Sequence, residues 1–153
     1  MSSWKQQALI QAPIEEVWSV LCDPVRGPEW SEDMIAVTGA PTKIEKGSTF
    51  DVTSKGPLGL KATTPFKVEE LEDMHELKMK CQLSGFYSHW LLTQAQDGTF
   101  AEVELGIEEL ATRRSLGARA AAALHTKSYL RGQVEKLLDG LRHAVSGDRA
   151  SSS

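Results

Sequence analysis

Cysteine is scarce: the chain has two in 153 residues, Cys22 and Cys81, far apart and without the short spacing of a metal site. This excludes a disulfide-stapled scaffold or a zinc ribbon, and two reduced thiols are expected. A basic surplus is also missing. The net charge is −4, and the basic cluster of Arg113, Arg114 and Arg119 is outweighed by the acidic residues around it, so no nucleic-acid partner is expected. No apolar run approaches the ~18–20 residues of a membrane span. Met1-Ser2-Ser3-Trp4-Lys5 lacks the charged-then-apolar order of a secretory leader, so a cytoplasmic protein without membrane insertion is expected. The four histidines, His75, His89, His125 and His143, show no ligand spacing, and no H-E-x-x-H, G-x-S-x-G, P-loop or G-x-G-x-x-G is present. Neither metal nor cofactor is expected, and whether the protein is an enzyme stays open.

What is present is ordinary globular material, 41% hydrophobic and 25% charged. A chain of this length buries roughly 68–70% of its unfolded surface and needs no staple. One domain over residues 1–145 is expected. Residues 146–153 are small and polar and are read as a disordered tail.

Periodicity divides the chain. A short strand at Trp4–Gln11 leads into Ala12-Pro13, where proline suits a first helical turn and Glu15 and Glu16 complement the helix dipole. Ile14, Val17, Trp18 and Leu21 form one apolar face, and Asp23-Pro24 ends that helix. A second, irregular short helix is expected at Val25–Ser31. From Met34 the period becomes two. Ile35 and Val37, Phe50 and Val52, and Phe66 and Val68 alternate with polar neighbours. Leu77, Met79, Cys81 and Leu83 oppose Glu76, Lys78, Lys80 and Gln82. Asp97-Gly98 marks a hairpin between the strand at 86–96 and the strand at 99–110, where Ala101, Val103, Leu105 and Ile107 share a face. The run of Glu102, Glu104, Glu108 and Glu109 reads as a solvated strand face. After Ala111 a helix of about 30 residues is expected, its stripe running Leu116, Ala120, Ala123, Lys127, Leu130, Val134, Leu137 and Leu141. Strands in one block with helices outside it give an α+β fold: a curved antiparallel sheet gripping one long C-terminal helix.

The stretch Ala12-Pro13-Ile14-Glu15-Glu16-Val17-Trp18-Ser19-Val20-Leu21-Cys22-Asp23-Pro24, with Trp30-Ser31 after it, resembles the opening of the START-like, or Bet v 1-like, superfamily. The late hairpin and terminal helix fit the same family, in its polyketide cyclase/dehydrase and lipid-transport branch. The resemblance spans Trp4 to Val145. It implies a helix-grip fold of about seven strands, with two short helices after the first strand and a cavity between sheet and helix for lipids, polyketides or other apolar molecules.

The candidate ligand-binding residues follow from which faces turn inward. They are Trp30 and Met34 near the opening helices, and Phe50, Phe66, Met79 and Cys81 on the strands. Val103 and Leu105 belong to the last strand, and Leu116, Ala120, Ala123 and Lys127 to the terminal helix. On the strand at 86–96 two inward sets stay open, Phe86, Ser88, Trp90 and Leu92 or Tyr87, His89 and Leu91. The first carries more apolar area and supplies Phe86, Trp90 and Leu92 to the candidate set. Small residues from Gly117 to Ala123 either leave room for a ligand or simply favour helix. A lysine on an apolar stripe either snorkels or holds an acidic ligand group. Three readings remain: a binding or carrier protein for an apolar small molecule, a cyclase or dehydratase using groups such as His89, Lys127 or Tyr129, and a chaperone-assisting module. A monomer or a homodimer fits each.

Overall fold

A computed structural model describes residues 3–108 and 126–152. The chain runs β1 (Ser3–Ile10), α1 (Ile14–Leu21), a 3-10 turn (Pro24–Arg26) and α2 (Gly27–Trp30). It continues through β2 (Met34–Thr38), β3 (Thr49–Lys55), β4 (Lys61–Glu72), β5 (Glu76–Cys81), β6 (Phe86–Ala95) and β7 (Gly98–Ile107) to α3 (Lys127–Ser152). The seven strands form one antiparallel sheet in the order β1-β7-β6-β5-β4-β3-β2. The fold is α+β, with a C-terminal helix and two short helices after the first strand.

Local chemistry accounts for these elements. Pro13 precedes α1 at φ −60°, Glu15 and Glu16 occupy its first turn, and Val17, Trp18, Val20 and Leu21 are buried. In β2 a bulge between Met34 and Ala36 breaks the simple alternation. It turns Ile35 outward, 42% exposed, where alternation alone had paired it with Val37. Strand β5 stops at Cys81, so Leu83, expected on the inner face, lies in the following turn and is 59% exposed. Gly85, at φ +80°, closes that turn where a side chain would strike the Glu108 carbonyl.

The terminal helix differs from expectation at its start. Thr126 caps it: the Tyr129 amide donates to Thr126 Oγ1 (3.2 Å), and the Leu130 amide to the Thr126 carbonyl (2.9 Å). The stripe foreseen as continuous from Leu116 to Leu141 is therefore interrupted at Thr126, and Lys127, placed on that stripe, is the first residue of α3 and exposed. Helix α3 continues through residues 146–152, the segment read from sequence as a tail. Leu130, Val134, Leu138, Leu141 and Val145 are all buried, with α3 lying against β1, β7 and α1. Among the described residues no helix is long and apolar enough to cross a membrane.

The outer face of the sheet carries charge. Lys78 and Lys80 both reach Glu69 and Glu108, the shortest link being Lys78 Nζ to Glu108 Oε1 at 2.6 Å. Burial raises the Glu108 carboxyl, but hydrogen bonds and charge from Lys78 and Lys80 outweigh it and hold the group below its ordinary value. Burial likewise lowers Lys80, and Glu69 and Glu108 outweigh it and hold the ammonium above its ordinary value.

Two glycines of α3 make opposite predictions. A Cβ at Gly140 would strike the Trp30 carbonyl oxygen, whereas one at Gly132 meets nothing described within 4 Å. Gly132→Ala should raise stability by about 0.5–1 kcal/mol through helix propensity. Gly140→Ala should lower it, because α2 must move away; denaturant titration of both variants checks the contrast. The depressed Glu108 group stabilises the fold above its unfolded value of 4.5, and that contribution is lost as pH falls through the still lower folded value. Thermal melts of Glu108→Gln across acid pH should therefore show a shallower decline than the parent.

Candidate functional site

Between α3 and the inner face of the sheet lies a cavity of about 360 Å³. Strand register builds its wall. Phe50, Phe66 and Cys81 face one another across β3, β4 and β5, and Phe86 on β6 also lines the cavity. A neighbouring row joins Leu105, Ser88 and Met79 across β7, β6 and β5. Nearer the β3–β4 hairpin, Met34, Ser54 and Ala62 form another row, beside Val37, Val52 and Thr64. Helix α3 contributes Tyr129, Gln133 and Leu137, and α2 contributes Trp30.

The alternatives for β6 are resolved by this register. Phe86, Ser88 and Trp90 line the cavity, with Leu92 further along the same face. Tyr87, His89 and Leu91 belong to the opposite face. Tyr87 is nevertheless buried, because its ring lies over Gly106 and under the Lys78 ammonium, 4.9 Å from the ring centre. His89 Nε2 is 2.6 Å from Glu76 Oε2 on that outer face.

Of the candidate residues, Trp30, Met34, Phe50, Phe66, Met79, Cys81, Phe86, Trp90 and Leu105 line the cavity. Leu92 and Val103 are instead fully buried in the packed core below it. Lys127 is exposed and outside the lining, a correction that follows from its place at the capped first turn of α3. Leu116, Ala120 and Ala123, with the small-residue run Gly117–Ala123 and His125, lie outside the described residues. The sequence reading passed over Gln133, Ser54 and Thr64. Gln133 follows Tyr129 by four residues and precedes Leu137 by four, so the i, i+4 spacing was a usable signal.

Trp30 and Trp90 meet edge to face with ring centres 5.8 Å apart, an arrangement worth about 0.5–1.5 kcal/mol beyond burial. The Trp30 indole Nε1 is buried without a hydrogen-bond partner among the described residues. The ionisable groups of the described lining are Asp23, Asp33, Lys55, Cys81 and Tyr129. Asp33 and Lys55 belong to the hairpin end, where the Lys55 amide donates to the Asp33 carbonyl (2.7 Å). Burial first, and then the charge of Asp33, push the Tyr129 phenol up to about 12. Cys22, outside the lining, is pushed up to about 12 by burial and the charge of Asp73, which makes it a poor nucleophile. Chemically, the cavity can desolvate an apolar body and offer it a few neutral hydroxyl and amide groups.

This architecture belongs to a known family. Residues 1–146 match the family model described as "Polyketide cyclase / dehydrase and lipid transport", and the chain is a member of that family. A START superfamily protein from Mycobacterium smegmatis is 13% identical with a TM-score of 0.72, the match covering 96% of this chain and 99% of that one. An AHSA1-like protein from Aeromonas hydrophila is 18% identical with a TM-score of 0.69, covering 95% and 93%. A protein from Thermus thermophilus is 17% identical with a TM-score of 0.71, covering 99% of each chain. At these identities the likeness is one of fold. No curated protein matches the chain.

The chain has two tyrosines, and both phenols are raised. Burial leads in each case, joined at Tyr87 by the charge of Glu104 and a hydrogen bond to it. An ultraviolet absorbance titration of the folded protein should accordingly show no phenolate forming around 10, with ionisation approaching about 12. A midpoint at the ordinary value for either residue would contradict the packing described.

Proposed function

We propose that this protein binds a hydrophobic small molecule in the cavity between the sheet and α3. The carrying observation is the cavity itself: about 360 Å³, within the range of ligand sites, with walls of Trp30, Phe50, Phe66, Met79, Phe86 and Trp90. Family membership supports the same reading. Transfer of an apolar body from water to such walls yields roughly 25 cal/mol per Å² buried, and the flexible methionines tolerate varied shapes. Tight complementarity to one scaffold is not required for useful affinity.

The cyclase or dehydratase reading required at least two of His89, Lys127 and Tyr129 to converge. Only Tyr129 lines the cavity; His89 is bound to Glu76 on the outer face and Lys127 is exposed. Proton transfer by that set therefore has no geometric support, and binding is the stronger reading.

Titration with the neutral dye Nile red should give saturable, stoichiometric fluorescence enhancement, and native mass spectrometry should show one dye per chain. Met79→Trp, which fills the floor from β5, should weaken dye binding by about tenfold while the fold is retained. Absence of saturable binding by the parent protein would refute the proposal.

A further inference from the structure

Resting on the reading of the cavity as a ligand site, we infer that its ligand is electrically neutral and carries an oxygen that hydrogen-bonds to Ser88. The apolar wall of the cavity carries one irregularity on β6. The inner positions of β5, β6 and β7 are Leu77, Met79 and Cys81; Phe86, Ser88, Trp90 and Leu92; and Thr99, Ala101, Val103, Leu105 and Ile107. Two of these positions carry a hydroxyl, and that of Thr99 is already committed, its Oγ1 donating to the Ala12 carbonyl (2.9 Å), which leaves Ser88. Its neighbours across the sheet are Leu105 and Met79, and along the strand Phe86 and Trp90, so every adjacent inner position is apolar or aromatic.

Ser88 is only half-buried, because it borders the cavity, and its Oγ makes no hydrogen bond to another described residue. A hydroxyl in an apolar wall is unfavourable unless something bonds it, and an alanine or valine would fit this strand at least as well. A ligand oxygen placed over β6 satisfies it and fixes orientation, as a sparse polar group in an apolar pocket commonly does.

Charge selects against an anion at this spot. The described lining holds Asp23 and Asp33 against one basic group, Lys55. Lys55 pairs with Lys61, whereas the Ser88 row continues through Met79 to Val68. From Lys61 to Val68 along β4 is roughly 23 Å at the rise of an extended strand. A carboxylate docked on Ser88 would therefore find no cation within reach among the described residues, whereas a ketone, ester, ether or alcohol needs none. The ligand class is a neutral oxygenated aromatic or aliphatic molecule, not a free fatty acid.

Three naphthalenes substituted at the same ring position test this: the methyl ketone, the ethyl hydrocarbon and the carboxylate, each competing against Nile red on the full chain. The ketone should bind about three- to tenfold more tightly than the hydrocarbon, the gain of one neutral hydrogen bond, with the carboxylate weakest. Ser88→Ala, its fold verified by thermal unfolding, should make ketone and hydrocarbon equal, and Ser88→Thr should keep the preference. Equal binding by the parent protein, a ketone preference that survives in Ser88→Ala, or tightest binding of the carboxylate would overturn the inference. Dye binding with no displacement by any of the three would also overturn it while leaving the cavity reading intact. Failure to bind dye at all would remove both. The comparison on the parent protein decides the matter even if Ser88→Ala does not fold.

Discussion

One helix has to cover a seven-stranded sheet, and it is too narrow to do so. Seven strands spaced about 4.8 Å apart span roughly 29 Å, while a helix with its side chains is about 10–12 Å across. Helix α3 spends its buried stripe, Leu130, Val134, Leu138, Leu141 and Val145, on the side where β1 and β7 lie. The opening helices cover another part, with Gly140 letting α3 approach the Trp30 carbonyl. Among the described residues, the inner faces of β3, β4 and β5 are left with apolar side chains and no helix packed closely on them. The cavity is what remains of this mismatch, and its aromatic lining would otherwise face water.

That mismatch explains which parts of the fold were legible in the sequence. Elements buried on one face announce themselves by period: Val17, Trp18 and Leu21 at helical spacing, Ala101, Val103, Leu105 and Ile107 at strand spacing. Both sets are buried as their spacing implied. Positions where the local geometry departs from the regular period were misread. The bulge at Met34/Ala36 inverted Ile35, and the early end of β5 exposed Leu83. Thr126 offered a visible capping signal that the longer apolar stripe concealed, so Lys127 was placed on that stripe as a candidate. In each case a single-residue event overrode a pattern averaged over many residues.

The candidate site was legible to the extent that it coincides with the inner face. Leu92 and Val103 share that face with Trp90 and Leu105 yet are sealed in the core, because facing inward and bordering the cavity are different properties. Periodicity reports the first and is blind to the second, which depends on where α3 lies over the sheet. Gln133, Ser54 and Thr64 were missed for the converse reason. Polar residues at inward positions count against a pattern search for apolar stripes, although in a ligand site they are the positions that carry orientation.

The electrostatics divide between the two faces in a way that constrains mechanism. The outer face holds the ion pairs of Lys78 and Lys80 with Glu69 and Glu108, and the His89–Glu76 contact. The described inner face offers hydroxyls, an amide and a phenol held protonated by burial and by Asp33, with acidic groups at its margin. A protonated phenol donates a hydrogen bond and resists becoming a base near neutral pH. Among the described residues, chemistry that needs a proton removed from a bound molecule would have to recruit Asp23 or Asp33. Binding needs no such recruitment, since apolar walls supply affinity and a sparse set of neutral donors supplies direction. Polarity across this sheet is therefore segregated, with ion pairs on the outer face and neutral donors on the described inner one.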